Sequence, residues 1–308
     1  MRIFITGGTG LIGAAIIRNL VAHQYDVFAL ARKASSARKL QSLGATPIYG
    51  DITQPETWTS QLSELALGLN GVIHTACDFS DAMPGIDQNL LDHLIPALHR
   101  MPNPVKFIYT GGSWLFPACT ADAPITETTA FDPLPEFRWM VPGIKRVLSD
   151  QGLHGMVIHP ACVYATEPFG YTGLLAPLIE TARSHNYVNA VSRNTVCLPM
   201  VHADDLADLY RLALEKADRG ACFNGVALNG ISNRTTAELV AHSFGGVDCT
   251  IRPMSLPAAM QQLGGWARGL GRHQHLCNQR AVDELGWHPR HLDFEADIRN
   301  LAGVLADA

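Results

Sequence analysis

The stretch that decides the fold is TGGTGLIG at residues 6–13, between a short apolar segment, Arg2–Thr6, and an apolar segment with helical spacing, Leu11–Ala22. Three of its glycines recur at intervals of three residues: Gly7, Gly10 and Gly13. The first glycine allows a tight turn, the second lets backbone amides approach a pyrophosphate, and the third lets helix and strand pack closely. The helix N-terminus adds partial positive charge for phosphates. The pattern predicts a dinucleotide site, and the alternative is a structural turn that binds nothing.

Outward from this turn, apolar strand-like segments alternate with helical ones. The predicted strands are Arg2–Thr6, Asp26–Ala31, Thr46–Tyr49, Gly71–Thr75, Lys106–Thr110 and Met156–His159. Near-continuous apolar strands separated by helices are typical of a parallel sheet that is covered on both faces. The sequence therefore predicts an α/β fold with a Rossmann-type, doubly wound parallel sheet and a smaller mixed C-terminal lobe.

After about residue 160 the alternation loosens. Two later segments, Leu198–His202 and Ala221–Val226, have the composition of strands, and an amphipathic helix from Asp204 to about Lys216 lies between them. We expect residues 1–163, together with about 198–226, to form the cofactor-binding domain. Residues 164–197 and 227–308 are expected to form a substrate-binding lobe.

Composition excludes several classes of protein. The chain has 308 residues, of which 47% are hydrophobic and 17% charged, which excludes a disordered protein. The net charge of −5 argues against nucleic acid as a partner. No apolar run approaches the ~20 residues of a membrane helix, so we expect no membrane partner. Seven scattered cysteines suit reduced thiols and a cytoplasmic location.

The residues after the second predicted strand bear on cofactor choice. An enzyme that uses NAD commonly places a carboxylate there, to accept the ribose hydroxyl. Here the strand ends with Leu30-Ala31-Arg32-Lys33 and no acid follows. Arg can hold a 2′-phosphate through two hydrogen bonds. We therefore predict NADP(H) over NAD(H), against the alternative of a merely solvated basic loop.

Six motifs in order resemble the extended short-chain dehydrogenase/reductase family, in its NAD-dependent epimerase/dehydratase branch. They are TGGTGLIG at 6–13, GDIT at 50–53, HTA at 74–76, PACVY at 160–164, VHADDLA at 201–207 and ELGWHP at 284–289. The resemblance covers almost the whole chain and implies a set of cofactor-binding residues: Gly7, Gly10, Leu11, Ile12, Gly13, Asp51, Ile52, Thr75, Ala76, Lys145, Pro160 and Val163. Arg32 and Lys33 join this set through the argument on NADP. The resemblance also implies a small-molecule substrate and a possible homodimer through residues 86–100 and 138–151.

The catalytic motifs are where the sequence departs from that family. Family members use a serine or threonine and the pattern YxxxK, whose tyrosine moves a proton. No tyrosine here has a lysine four residues later. The matching segment is Val141-Pro142-Gly143-Ile144-Lys145, with valine at the tyrosine position. The family's serine falls on Gly112, and Ser113 follows it.

Another group must then protonate the substrate. We take Ser113 as the first candidate donor and Lys145 as a candidate ligand of the cofactor ribose. Tyr164 is a further catalytic candidate, although the tyrosine at this place in the family is usually structural. The wider set of polar candidates is Tyr109, His159, Cys162, Asp78 and Cys77, of which Tyr109, His159 and Cys162 suit buried core positions.

Two other clusters could suggest a metal. His273, His275 and Cys277 alternate, but the usual spacings of zinc sites are absent. Asp204 and Asp205 begin a predicted helix, where capping and the helix dipole explain acidic residues. We expect no metal.

Three functions remain open. The first is an NADP-dependent oxidoreductase, a reductase of a small apolar or aromatic carbonyl, enone or imine compound, with an atypical proton donor. The second is a catalytically silent NADP(H)-binding sensor or partner protein. The third is an epimerase or dehydratase that uses transient redox. An apolar ligand is suggested by Phe169, Tyr171, Leu174, Leu175, Tyr187 and Trp266.

Overall fold

The computed structural model describes residues 1–63, 68–165, 173–191 and 196–306. Phe169 and Tyr171 lie outside these ranges. The strands are β1 (Arg2–Thr6), β2 (Asp26–Ala31), β3 (Thr46–Tyr49), β4 (Leu69–His74), β5 (Lys106–Thr110), β6 (His154–Pro160), β7 (Cys162–Tyr164), β8 (Tyr187–Val191), β9 (Cys197–His202), β10 (Cys222–Gly225), β11 (Leu228–Ser232) and β12 (Thr250–Met254). The helices are α1 (Leu11–Ala22), α2 (Ala34–Ser42), α3 (Met83–His99), α4 (Met140–Ser149), α5 (Ala176–His185), α6 (Ala203–Lys216), α7 (Asn233–Phe244), α8 (Leu256–Leu263) and α9 (Phe294–Ala306).

The large sheet has seven strands in the order β10-β6-β5-β4-β1-β2-β3. Every neighbouring pair in it is parallel. The order reverses between β1 and β4, and in such sheets ligands bind outside the carboxyl ends of the strands at the reversal. The predicted α/β fold with a Rossmann-type sheet is confirmed.

Helices cover both faces of this sheet, as two adjacent residues of β5 show. Successive side chains of a strand point to opposite faces. The Tyr109 hydroxyl donates to Asp87 of α3, at 3.1 Å, whereas Thr110 hydrogen-bonds Tyr210 of α6, at 2.7 Å. Therefore α3 and α6 lie on opposite sides. Packing of α4 against α3, and of α1 against α6, completes the two layers.

Two small sheets build the lobe, one in the order β11-β9-β7 and one that pairs β12 with β8. One placement differs from expectation. We expected the strand at 198–202 to belong with the large sheet, but β9 pairs with β7 and β11. The position beside β6 is taken by β10, so that edge is not open to β9. No helix in the described ranges is long and apolar enough to cross a membrane.

Candidate active site

The glycine turn has the geometry that its sequence predicts. Gly7 has φ +77°, a conformation that side chains rarely adopt, and a Cβ atom there would meet the Ala76 amide nitrogen at 2.7 Å. A Cβ on Gly13 would lie 2.3 Å from the Gly7 carbonyl oxygen. At Gly10 the nearest atom would be that same oxygen, at 3.3 Å. Gly7 and Gly13 therefore allow close packing, while Gly10 keeps the surface of the turn open.

The N-terminus of α1 is prepared for an anion. Gly10 is the N-cap, no side chain caps the helix, and its first turn contains no acidic residue. The first amides of a helix have no acceptor within it and carry partial positive charge. The Lys39 ammonium donates to the Thr9 carbonyl at 2.9 Å and so supports the turn from outside. The turn at residues 6–13 and the N-terminus of α1, which we call the glycine cradle, fit the diphosphate of a dinucleotide.

A cavity of about 470 Å³ opens at the reversal point of the sheet. Its lining comes from the turn (Gly7, Gly10, Leu11, Ile12 and Gly13), residues 74–79 after β4, residues 109–115 after β5, Phe137, Trp139 and Met140 around the start of α4, residues 160–163 after β6, and Gly173, Leu174 and Trp266 of the lobe. A volume of this size suits a small-molecule site.

The cavity brings together ten of the residues that the sequence singled out. Those that line it are Gly7, Gly10, Leu11, Ile12, Gly13, Thr75, Ala76, Ser113, Pro160 and Val163. Six others do not line it: Arg32, Lys33, Asp51, Ile52, Lys145 and Tyr164. Among the wider candidates, Tyr109, Cys162, Asp78 and Cys77 also line it, and His159 does not.

Lys145 lies on the solvent side of α4. The buried residues of this helix include Met140, Ile144 and Val147, at the i, i+4, i+7 spacing of one face. Lys145 is exposed and does not line the cavity. Its role as a ligand of the cofactor ribose stays a prediction from the resemblance, and the helical phase places Met140 at the cavity.

Tyr164 does not line the cavity either. Its side chain is fully buried, and its hydroxyl donates to Asp297 Oδ2 at 2.7 Å. Burial and the Asp297 carboxylate raise its pKa far above the usual range. The ring packs edge-on against His202 and Phe294. Tyr164 joins the lobe to the C-terminal helix, away from the cavity.

Ser113 lies in the cavity wall directly after β5. The residue is 4% exposed, and its carbonyl accepts a hydrogen bond from the Gln274 side chain at 2.8 Å. No described residue hydrogen-bonds its hydroxyl, so that group can turn toward a ligand. The same glutamine also donates to the Phe116 and Pro117 carbonyls, which fixes the backbone around Ser113.

A buried polar network, which the sequence analysis missed, lies under the cavity. His74 Nδ1 is 2.7 Å from Thr6 Oγ1, and its Nε2 is 2.9 Å from Asp87 Oδ1. The other Asp87 oxygen accepts from Tyr109 at 3.1 Å. Asp87 is 2% exposed, and a carboxylate this deeply buried needs such partners. The available signal was an acid in the apolar repeat of α3, between Met83 and Leu90.

Arg32 and Asp51 lie together at the ends of β2 and β3. Arg32 Nε is 4.0 Å from Asp51 Oδ2, and the arginine side chain is 71% exposed. Asp51 also accepts from the amide and hydroxyl of Thr53, at 3.0 and 2.9 Å. The exposed Arg32 guanidinium is accessible to a ligand.

Burial keeps Cys77, Cys162 and His159 neutral. It raises the pKa of the Cys77 thiol to about 12 and that of Cys162 to about 12. It lowers the pKa of His159 to about 3, and the His159 ring packs edge-on against Phe116. Because the thiolate is the nucleophilic form of cysteine, neither thiol is activated.

Aromatic side chains form a continuous row along the cavity. Phe79 packs edge-on against Phe137 with ring centroids 5.7 Å apart, and Phe137 lies 5.3 Å from Trp114. Trp114 stacks on Trp266 of the lobe at 6.2 Å. Of the ligand residues suggested by the sequence, Leu174 and Trp266 line the cavity. Tyr187 instead lies in β8 beneath the Arg252 guanidinium, 3.9 Å from the ring centroid, and Leu175 is buried.

One cluster has metal-ligating residue types. His202, Asp204 and His291 place one ligand atom each within 4.8 Å of one another. The two imidazoles are stacked 3.6 Å apart at 15°, so their in-plane lone pairs do not converge on one point. Asp204 accepts from Arg18 at 2.9 Å, and His202 Nδ1 accepts the Asp204 amide. This geometry is that of a packed, capped helix start.

His273 and His275, two residues of the alternating cluster that could suggest zinc, form hydrogen bonds with other protein groups. His273 Nδ1 accepts the Cys197 amide at 3.0 Å, and the His275 carbonyl accepts from the Cys119 thiol at 3.2 Å.

Comparison with known proteins identifies the family of this chain. The sequence model of the NAD-dependent epimerase/dehydratase family matches residues 3–226, which include the seven-stranded sheet except for Arg2 at the start of β1. The chain belongs to this family. Members of this family bind a nicotinamide cofactor, and the chain is an enzyme of the oxidoreductase type.

Two relatives match most of the chain at about a quarter sequence identity. An uncharacterized protein of Schizosaccharomyces pombe is 25% identical over 303 residues, covering 97% of this chain and 98% of its own length. A decarboxylating sterol-4-alpha-carboxylate 3-dehydrogenase of Dictyostelium discoideum is 27% identical and covers 72% of this chain and 70% of itself. The UDP-glucose 4-epimerase of Thermus thermophilus, solved with NAD, shares the fold of this family member at a TM-score of 0.81 and 18% identity, with both chains fully covered.

Proposed function

We propose that this family member is an NADP-dependent reductase of a small apolar or aromatic carbonyl, enone or imine compound. One observation carries the proposal: the glycine cradle and the aromatic row line the same cavity. A bound nicotinamide cofactor supplies the hydride. Because both groups of residues line one cavity, a ligand in the aromatic part would lie beside that cofactor.

The charges in the cavity favour a neutral substrate. Among the described lining residues there is no lysine or arginine. Asp78 lines the cavity, and hydrogen bonds from Ser80 lower the pKa of its carboxyl, so Asp78 stays anionic. A second diphosphate, as in a nucleotide sugar, would find no cation there and would meet this negative charge.

The preference for NADP rests on Arg32 and Lys33, which directly follow β2. Both are exposed, and α2 has no acid in its first turn. A 2′-phosphate beside Arg32 would gain a hydrogen-bonded ion pair. A ribose hydroxyl in NAD would gain no carboxylate partner from this segment.

Ser113 is the proposed hydrogen-bond donor to the oxygen of the substrate. Its backbone is held by Gln274, and its hydroxyl has no partner among the described residues. The apolar walls would exclude water and so strengthen that hydrogen bond. Lys145 and Tyr164 have no part in this proposal, because one is exposed and the other is bonded to Asp297.

The absence of the family tyrosine favours an alternative, a silent NADP(H) sensor. Absorbance at the NADPH band separates the possibilities, with aldehydes, ketones, enones and imines tested in turn. Reduction of one class, faster with NADPH than with NADH, supports the proposal. Tight NADPH binding without turnover of any class supports the sensor. Product formed without net loss of NADPH supports transient redox, as in an epimerase or dehydratase.

Three further expectations remain proposals. All seven cysteines are free, which suits the reducing cytoplasm. The lobe boundaries are proposed at residues 164–197 and 227–308. A homodimer through α3 and α4 would be visible as a doubled mass by light scattering.

A further inference from the structure

Phe79 combines two unfavourable features at the mouth of the cavity. Its φ of +58° lies in the left-handed region, which a bulky residue rarely adopts. Its side chain is 55% exposed, although it is large and apolar. Residues kept in such conformations cluster at ligand sites, where the surrounding structure imposes them.

The two other non-glycine residues with positive φ in the described ranges have local explanations. Asn186, with φ +54°, is the C-cap of α5, where asparagine is common. Gln24, with φ +62°, lies in the turn between α1 and β2, and its amide donates to the Val21 carbonyl at 2.9 Å. Phe79 ends no helix, and it is the one bulky aromatic residue among these three.

Local hydrogen bonds hold Phe79 in place. The Ser80 amide donates to Asp78 Oδ1 at 2.9 Å, and the Met83 amide donates to the Ser80 carbonyl at 3.0 Å. Cys77, Asp78 and Phe79 all line the cavity. The turn therefore directs the Phe79 ring against Phe137, as the outermost member of the aromatic row.

Exposure differs sharply between the first two rings of this row. Phe137 is 5% exposed, whereas Phe79 is 55% exposed. A ring that packs on one side and meets solvent on the other can cover a bound ring. We propose that Phe79 is a specificity-determining residue, which covers the ring of a flat aromatic substrate, and that its strained backbone is maintained for that contact. This inference rests on the proposed function, since it names the substrate class of the same cavity.

The test compares Phe79→Asn with Gln24→Asn, because asparagine tolerates the left-handed conformation best among non-glycine residues. Equilibrium dialysis measures binding of 2-naphthol, and of its saturated analogue decahydro-2-naphthol, to the full chain with NADP+. Phe79→Asn is expected to weaken 2-naphthol binding about 3–10-fold and the saturated analogue less, since aromatic pairs contribute beyond their area. Gln24→Asn is expected to change neither.

Thermal melting of the free protein is the second readout. If the strain serves binding, both substitutions leave Tm equal to wild type or raise it by about 1–2 °C. Unchanged naphthol binding in Phe79→Asn overturns the inference, as does a wild-type chain that binds no 2-naphthol. A Tm of Phe79→Asn several degrees below that of Gln24→Asn also overturns it, because the Phe79 ring would then stabilise the fold through its packing.

Failure of this inference can be told apart from failure of the proposed function. If naphthol binding falls in Phe79→Asn while no carbonyl compound oxidises NADPH, the subsite stands and the reductase does not. If NADPH is oxidised and naphthol binding is unaffected by the substitution, the reductase stands and the inference fails.

Discussion

The carbonyl oxygen of Gly7 lies 2.3 Å from the point where a Cβ atom of Gly13 would stand. Real Cβ atoms do not approach a backbone oxygen this closely, so the turn and the first helix pack together only because residue 13 is glycine. Gly10 differs, since its Cβ would meet that oxygen at 3.3 Å and otherwise enter open space. The same motif thus contains a packing glycine and a binding glycine.

Gly13→Ala is expected to lower Tm and cofactor affinity together, because the methyl group forces α1 away from the turn. Gly10→Ala is expected to preserve Tm while weakening cofactor binding, because its methyl group enters the diphosphate space. Melting curves and calorimetry with NADPH measure both effects. Gly85→Ala is the control, since nothing lies within 4 Å of its Cβ position in α3. Equal loss of Tm in Gly10→Ala and Gly13→Ala would contradict the distinction.

Arg32→Glu is expected to reverse the preference between NADPH and NADH. The guanidinium that would pair with a 2′-phosphate is replaced by a carboxylate that repels the phosphate and accepts a ribose hydroxyl. An exposed charge pair changes affinity by about tenfold or less. Dissociation constants for both coenzymes test this, with Arg100→Glu, an exposed charge at the end of α3, as control. An unchanged ratio would remove Arg32 from the cofactor site.

Ser113→Ala and Lys145→Ala are expected to differ in their effect on turnover. Loss of a hydrogen-bond donor to the reacting oxygen lowers kcat by about 100-fold or more. Lys145 is exposed and away from the cavity, so its loss is expected to leave both kcat and the affinity for NADPH unchanged. Steady-state kinetics with the best substrate measure both. A large loss in Lys145→Ala alone would show that α4 presents its other face to the cofactor.

Asp87→Asn is expected to destabilise the fold by about 1–3 kcal/mol, because an amide cannot accept from both His74 and Tyr109 and leaves one buried partner unsatisfied. Urea unfolding measures this change. Asp92→Asn is the matched control on the same helix. Its side chain is 49% exposed and pairs with Arg146, and such a surface pair contributes little. Similar losses from the two substitutions would contradict the role of the buried network.

Acid is expected to destabilise the protein through His202. Burial, together with the neighbouring His291, lowers the pKa of His202 to about 4 from 6.5. Between these two pH values the unfolded chain binds a proton that the folded chain does not. The contribution of His202 to the free energy of unfolding is therefore full above pH 6.5 and is lost as pH falls toward 4. The shift corresponds to roughly 3 kcal/mol. His202→Asn keeps an acceptor for the Asp204 amide, as asparagine is a good N-cap.

Urea unfolding of wild type and His202→Asn at pH 7.5 and pH 5 tests this expectation. The wild type should lose more free energy of unfolding between the two pH values than the variant does. A pH dependence that is the same in both proteins would show that other groups, such as the buried His159, account for the acid sensitivity.

The sequence by itself determined the sheet and the cofactor cradle. Strand formation in β1 to β6 follows from short apolar runs. The turn at residues 6–13 follows from glycines at Gly7 and Gly13, where a side chain would not fit. These are local properties: each depends on neighbouring residues in the chain, and the structure confirms the fold.

Tertiary structure decided which polar groups reach the cavity. A motif register placed Lys145 beside the cofactor, but the phase of α4 is set by packing Met140, Ile144 and Val147 against the sheet, which turns Lys145 to solvent. Asp87 gains its partners from β4 and β5, which lie far from it in sequence. The contact of Phe79 with Phe137 joins two loops that come together only where parallel strands end at one edge. Such contacts depend on how distant segments pack together, and this packing cannot be predicted from the periodicity of the sequence.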